Sequence, residues 1–213
     1  PDGVITINNP NAIEAIEMAA RWVGTISPAG VTGFAEEDAR SLFQSGNAAF
    51  MRNWPYAYAL GQSEESVIAG KFDVAPLPAG RSGHGAATLG GWQLAVSKYS
   101  NNPEIAADVA LFMASPEEQK IRAIKGSFTP TIMALYEDPE VLKSTPFFGT
   151  LYDVLINAVA RPSTITAPNY NEVSTLFFRA VHSVLTGAKD ATTALEELEL
   201  ELQSLTGFEI GEP

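Results

Sequence analysis

A polar residue directly before a proline, at the start of an apolar pattern with helical spacing, recurs along this chain. Three such pairs are Asn9-Pro10, Asn102-Pro103 and Ser115-Pro116. A side chain that can cap a helix, followed by a residue that has no backbone N–H to satisfy, is typical of a helix N-terminus. The sequence therefore predicts a fold built mostly from short helices with their own start signals.

Apolar spacing extends this prediction over much of the chain. Helices are expected near residues 10–24, 34–46, 102–113, 115–126, 132–136, 139–143, 148–159, 171–186 and 190–205. In the last of these, leucines recur on one face and glutamates on the other, as in a helix with one buried side. The expected fold class is helix-rich α/β.

Few strands are predicted. Short apolar runs at 48–51, 72–75 and 92–97 suit buried strands, and Pro55 and Pro76 end the first two. Residues 79–91 contain five glycines and are predicted to form a loop. Two prolines between residues 161 and 169 favour an extended segment there.

Composition excludes several classes of function. The 213 residues carry a formal net charge of −12, which repels phosphate backbones, so no nucleic-acid partner is expected. The chain has no cysteine, which excludes disulfides and thiolate metal sites. No apolar stretch is long enough to span a membrane, and no leader opens the chain. The first residues read like the interior of a folded protein, so a fragment is expected.

Catalysis has little support in the sequence. The two histidines, His84 and His182, lack a partner at metal-binding spacing, and no metal or other cofactor is predicted. The Gly80–Gly85 segment has no lysine and no following helix start, so it is a poor phosphate loop. Most carboxylates fall at helix starts or on polar helix faces. The chain is expected not to be an enzyme.

Aromatic residues at element boundaries are the better candidates for binding. Trp54 and Tyr56 flank a proline, and Trp92 follows a glycine pair. The apolar C–H faces of sugars stack on aromatic rings, while their hydroxyls need directed polar partners. Arg161, next to a proline, offers such a fork of donors. From spacing alone, tryptophans in the core and a surface arginine are an equally good interpretation.

The pattern F-x-x-G-x-A-A-F-x-x-x-W over residues 43–54 resembles a signature of the family 1 extracellular solute-binding proteins, the maltose-binding-like receptors. Further segments agree in order: VAPLP at 74–78, TLGGWQLAVS at 88–97, FMASPEEQ at 112–119, RP at 161–162, and P-x-Y-x-x-V-S at 168–174. This resemblance implies a periplasmic-binding-protein type II-like fold, with two α/β lobes, a hinge, and a ligand cleft between the lobes.

The same resemblance implies a division of the chain. Residues 1–78 and 130–213 would form two parts of the C-terminal lobe, and residues 79–129 would cross the hinge and complete the N-terminal lobe. Most of that N-terminal lobe would be missing from this sequence. A fragment of this kind is expected to expose apolar surface where the rest of the protein packs.

Within the family, the segments around Trp54, Trp92 and Arg161 resemble the trehalose/maltose-binding branch. By that resemblance Trp54 and Trp92 would stack on the sugar, Tyr56 would add a hydroxyl, and Arg161 would donate to ring hydroxyls. The Gly91 backbone would approach a sugar hydroxyl. A further acidic contact falls near residues 73–75, where no carboxylate is assigned.

The implied function is the substrate-binding component of an ABC sugar importer, with an α-linked disaccharide such as trehalose, maltose or sucrose as ligand. The implied partners are the membrane permease subunits. The implied location is periplasmic or extracellular, either with or without a lipid anchor. The alternatives are a receptor for another solute (a monosaccharide, a longer glycan or a polyol), a glycoside-active enzyme and, if the aromatic residues are buried, a purely structural scaffold. The enzyme would need two carboxylates at catalytic separation across the cleft.

Overall fold

A computed structural model describes residues 3–80 and 83–212 of the chain. Its helices are α1 (Pro10–Trp22), α2 (Glu36–Gln44), α3 (Tyr56–Gly61), α4 (Pro103–Met113), α5 (Pro116–Gly126), α6 (Pro139–Ser144), α7 (Phe148–Ile156), α8 (Tyr170–Leu185) and α9 (Ala191–Thr206). Short 3-10 helices occupy Ala29–Gly33 and Met133–Tyr136, and two strands, β1 (Val4–Ile5) and β2 (Glu209–Ile210), pair in parallel.

The chain divides into two compact units. One is formed by Pro1–Ala35 with Pro162–Pro213, and the other by Glu36–Arg161. The first contains α1, α8, α9 and both strands, and the second contains α2 to α7. This division by compactness does not test the three-part division predicted from the family resemblance, which stays a prediction.

The first unit is built from helices with capped starts and apolar faces that pack together. The Asn9 side chain accepts a hydrogen bond from the N–H of Ala12 at 3.0 Å, and Asp190 accepts one from Thr193 at 2.8 Å. Ile13 and Ile16 of α1 then pack against a buried cluster on α8 and α9. The caps fix where α1 and α9 begin, and their apolar faces hold the helices together.

The second unit has an aromatic core. Phe147 and Phe148 pack edge to face with ring centroids 4.9 Å apart, and Tyr136 lies 5.7 Å from Phe148. The Tyr136 hydroxyl donates to the backbone oxygen of Pro130 at 2.6 Å, so its buried polar group is satisfied. This core holds α5, α6 and α7 together, and Tyr58 of α3 packs against it.

The strand predictions at 48–51, 72–75 and 92–97 were wrong, since the structure assigns no strand to any of them. A strand requires the N–H and C=O groups of a neighbour. Among the described residues of this unit, pairing is limited to a parallel bridge between Thr88 and Val159. The local sequence favours extended backbone in these runs, but no described neighbour pairs with them by backbone hydrogen bonds.

The segment 161–169 also differs from its predicted extended form. Both the backbone N–H and the hydroxyl of Thr166 donate to the carbonyl of Pro162, at 3.1 and 2.7 Å. These two bonds fold the segment into turns, because the Thr166 side chain bonds a backbone group four residues earlier and no neighbouring strand is needed. Within the predicted 79–91 loop, residues 81 and 82 lie outside the described residues, and the remainder is irregular as expected.

Over the part of the chain that the structure describes, none of the helices combines the length and the apolar character needed to cross a bilayer.

Candidate functional site

Trp54 lies between two elements of the second unit. Its indole N–H donates to Oε1 of Glu36 at 3.4 Å, at the start of α2. On its other edge the ring lies against Gly90, where an added Cβ would be 2.8 Å from Cη2 of the indole. The residue keeps 37% of its accessible surface, so Trp54 is packed in place while part of its ring stays open.

Tyr56 is the first residue of α3 and points its hydroxyl at α2. The hydroxyl donates to Oε1 of Glu37 at 2.5 Å, and the ring stacks on Phe128 with centroids 6.5 Å apart. Burial, together with the hydrogen bond to the Glu37 carboxylate, raises the pKa of Tyr56 above its ordinary value. The hydroxyl therefore stays protonated near neutral pH and serves as a donor.

A parallel bridge brings the Arg161 segment alongside the glycine pair. The N–H of Val159 donates to the carbonyl of Ala87 at 2.7 Å, and the N–H of Leu89 donates to that of Val159 at 2.9 Å. Because the two segments run in the same direction, the residues that follow each one lie at a common edge. Gly90 and Arg161 each follow their bridged residue by two positions, and Arg161 is exposed.

Trp92 and Gly91 occupy an open stretch beyond this edge. Trp92 is 97% exposed, so among the described residues it does not serve the core. No described atom lies within 4 Å of a Cβ placed on Gly91. The structure thus associates Trp54, Gly90 and the start of the Arg161 segment, whereas Trp92 and Gly91 extend away from packed neighbours.

A cavity of about 510 Å³ lies beside Trp54. Its walls come from residues 51–55, 57–58, 72–77, 86–88 and 90 and from α7, so Trp54 lines the cavity and Tyr56 does not. Aromatic and aliphatic side chains dominate, with Asn53 and Asp73 among the polar groups. Asp73, in the range where the family resemblance places an acidic contact, accepts a hydrogen bond from the N–H of Val74 at 2.8 Å. A mostly apolar recess with a few polar groups is the usual form of a small-molecule site.

The carboxylates at the start of α2 were not predicted as part of the site. A hydrogen bond from its own backbone, then one from the Trp54 indole, lowers the pKa of Glu36. Hydrogen bonds from Arg40 and then from Tyr56 lower the pKa of Glu37. The sequence signal was present as acidic residues in the first turn of a helix, but that pattern is common at helix N-termini and indicates no partner.

The histidines and acidic residues do not assemble into a metal centre. Within residues 3–80 and 83–212 no three His, Asp or Glu side chains lie together as metal ligands would. His84 is exposed in the glycine-rich loop, and His182 is exposed on α8 in the other unit.

An aromatic ring beside a mostly apolar recess with a few polar groups, Asn53 and Asp73 among them, is suited to binding a small polar solute. Residues 2–120 match the family described as bacterial extracellular solute-binding protein. The chain belongs to this family, as the sequence predicted. The family and the relatives below are solute-binding proteins, not enzymes.

Two curated relatives align over nearly the whole chain. A probable ABC transporter-binding protein of Deinococcus radiodurans is 55% identical over 207 residues, which are 97% of this chain and 49% of that protein. A galactooligosaccharide-binding protein of Bacillus subtilis is 27% identical over 197 residues, 91% of this chain and 45% of that protein. The chain thus spans about half the length of these relatives.

A solved structure of maltose-bound MalE3 from T. maritima superimposes on this chain with a TM-score of 0.91 at 41% identity. The match covers 96% of this chain and 52% of that one. The predicted fold class, a periplasmic-binding-protein-like α/β fold represented by part of its length, is confirmed.

Proposed function

We propose that the protein containing this chain is the substrate-binding component of an ABC sugar importer and binds an α-linked disaccharide such as trehalose, maltose or sucrose. One observation carries the proposal: the partly open indole of Trp54 borders the 510 Å³ cavity and touches Gly90, next to the Thr88–Val159 bridge that Arg161 follows by two residues. This arrangement offers a disaccharide an apolar platform and a charged donor together.

Each predicted site residue has a distinct part in this proposal. Trp54 and Trp92 stack on the C–H faces of the sugar rings, and Arg161 donates to ring hydroxyls. Tyr56 supplies a hydroxyl, and the Gly91 backbone approaches a hydroxyl without an intervening Cβ. The open space around Gly91 and the exposure of Trp92 support these parts, because both groups are accessible to a ligand.

The names of the relatives favour a carbohydrate over other solutes. One is called a galactooligosaccharide-binding protein, and the superimposed structure holds maltose. A monosaccharide, a longer glycan or a polyol remains the competing ligand class.

The ligand site is completed, in this proposal, by further chain that forms the N-terminal lobe. Besides Trp92, the described surface between residues 89 and 113 exposes a series of large apolar side chains: Leu89, Leu94, Tyr99, Ile105, Val109, Leu111 and Phe112. Apolar surface of this extent needs a covering partner. The relatives are about twice as long as this chain, which supports a covering segment from the same protein.

Permease subunits in the membrane are the proposed downstream partner, and the proposed location is periplasmic or extracellular, with a lipid anchor as an option. The family description as extracellular and the transporter name of the Deinococcus relative support both parts.

Isothermal titration calorimetry of the full-length protein tests the ligand class. The panel is trehalose, maltose and sucrose, with glucose, ribitol and maltotetraose as competitors of other sizes. We expect saturable heat with at least one disaccharide and weaker binding of the competitors. Absence of heat with every disaccharide refutes the sugar assignment, and release of nitrophenol from nitrophenyl glycosides would favour the enzyme alternative.

A further inference from the structure

Two carboxylates at the start of α2 accept hydrogen bonds from two aromatic residues of the proposed site. Glu36 accepts from the Trp54 indole at 3.4 Å, and Glu37 accepts from the Tyr56 hydroxyl at 2.5 Å. The two acceptors are adjacent residues on α2, and the two donors lie on either side of Pro55. One helix end thus contacts both aromatic side chains.

Glu37 is itself held in place from its other side. Its Oε2 accepts from Nε of Arg40 at 2.8 Å, and Nη2 of the same arginine also contacts it. Nη1 of Arg40 donates to Gln44 at 2.6 Å, and Gln44 donates to the carbonyl of Leu60 at 2.9 Å. This series of bonds joins α2 to both ends of α3, from Tyr56 to Leu60.

The backbone before the aromatic pair is attached to the same helix end. The Asn53 side-chain amide donates to the backbone oxygen of Glu36 at 3.0 Å, and its oxygen accepts from the N–H of Trp54 at 2.8 Å. Glu36 therefore helps to hold both parts of Trp54: the indole by a direct hydrogen bond, and the main chain through Asn53.

A partly exposed tryptophan has several accessible rotamers, and ordering it only on ligand binding would cost affinity. Contacts that select one rotamer beforehand remove that cost. For Trp54 the contacts are Gly90 on one edge of the ring and Glu36 at the indole nitrogen.

We propose that Glu36 and Glu37 are positioning residues for ligand binding, acting on the sugar through Trp54 and Tyr56 respectively. This inference rests on the proposed function for the ligand itself. Alanine at either position frees the aromatic side chain, whereas glutamine keeps an oxygen that accepts the same hydrogen bond.

Calorimetry with trehalose, maltose and sucrose on the full-length protein measures the effect. We expect Glu36→Ala and Glu37→Ala each to weaken binding by about fivefold to tenfold, as for the net loss of one ordinary hydrogen bond. Glu36→Gln and Glu37→Gln should recover most of the affinity. Glu172→Ala, which removes an acidic residue from the first turn of α8, is the matched control and should change nothing.

A double-mutant cycle separates positioning from direct contact. Phenylalanine at position 54 keeps a ring but lacks the indole N–H, so Glu36→Ala should add no further loss in that background. The same holds for Glu37→Ala in a Tyr56→Phe background. Additive losses in both cycles would mean that the carboxylates act without the aromatics, and would overturn the proposal.

A nuclear magnetic resonance measurement decides the question independently of any sugar. The indole N–H resonance of Trp54, assigned by its loss in Trp54→Phe, should move in Glu36→Ala and return towards its position in Glu36→Gln. If wild-type protein binds none of the sugars, the proposed ligand class fails while this shift still reports the contact. If the chemical shift of the Trp54 indole N–H is unchanged in Glu36→Ala, the positioning role is refuted.

Discussion

The indole of Trp54 and the backbone of Gly90 are in direct contact, with room between them for a hydrogen atom but not for a methyl group. A Cβ on residue 90 would lie 2.8 Å from Cη2 and 3.1 Å from Cζ3 of the ring. Only glycine at position 90 permits the observed ring position, so Gly90 and Trp54 depend on each other.

Gly90→Ala should therefore displace the Trp54 ring and weaken binding of the proposed disaccharide by about tenfold, comparable to the partial loss of an aromatic contact. Calorimetry on the full-length protein measures this. Gly80→Ala is the control, because no described atom lies within 4 Å of a Cβ at that position. Equal affinities of the Gly90→Ala variant and wild type would show that the contact has no part in binding.

Trp92→Ala should weaken sugar binding by about 1–3 kcal/mol if its ring stacks on the ligand. Because the ring is 97% exposed in this chain, its removal leaves no cavity in the described core. Titration calorimetry gives the affinity, and Phe178→Ala, which removes an exposed aromatic ring from α8, is the control. Unchanged affinity with a large loss of thermal stability would make Trp92 a packing residue instead.

Ser127→Gly should raise the free energy of unfolding by about 1 kcal/mol. Ser127 ends α5 in the left-handed region, with φ of 52°, and its buried Oγ has no hydrogen-bond partner among the described residues. Urea unfolding of the full-length protein measures the change. Ser127→Ala removes the hydroxyl but keeps the backbone cost, so if it stabilises as much as glycine does, the backbone explanation is wrong.

Tyr136 should make unfolding depend on alkaline pH. Burial raises the pKa of Tyr136 to about 12, above its ordinary value of 10.0. The folded state therefore favours the neutral phenol, and its stabilisation is complete below pH 10 and is lost as the pH rises towards 12.

Tyr136→Phe isolates this effect. At pH 8 the variant should be less stable by about 1–3 kcal/mol, because the Pro130 carbonyl loses its donor. Between pH 9 and 11 its urea midpoint should fall less than that of wild type. Parallel curves for the two proteins would contradict a raised pKa at this position.

Local chemistry allowed most helices to be predicted from the sequence. Asn9, Ser115 and Asp190 each accept a hydrogen bond from a backbone N–H within the next three residues, so everything that begins these helices lies within one turn. The family could also be predicted, since its signature is a linear pattern of residues.

The strand predictions failed for the opposite reason. Residues 48–51, 72–75 and 92–97 have the right composition, but a ladder depends on a neighbour that no local pattern specifies. The short parallel pair Val4–Ile5 with Glu209–Ile210 joins the two ends of the sequence and was not predicted at all.

The sequence by itself determined the helix starts, the family and the residue types suited to a sugar. Only the tertiary structure decided which of those residues meet, because contacts such as Glu36 with Trp54 and Trp54 with Gly90 join positions that are 18 and about 36 residues apart. Their geometry depends on how α2, α3 and the glycine pair pack, and packing is a property of the whole unit.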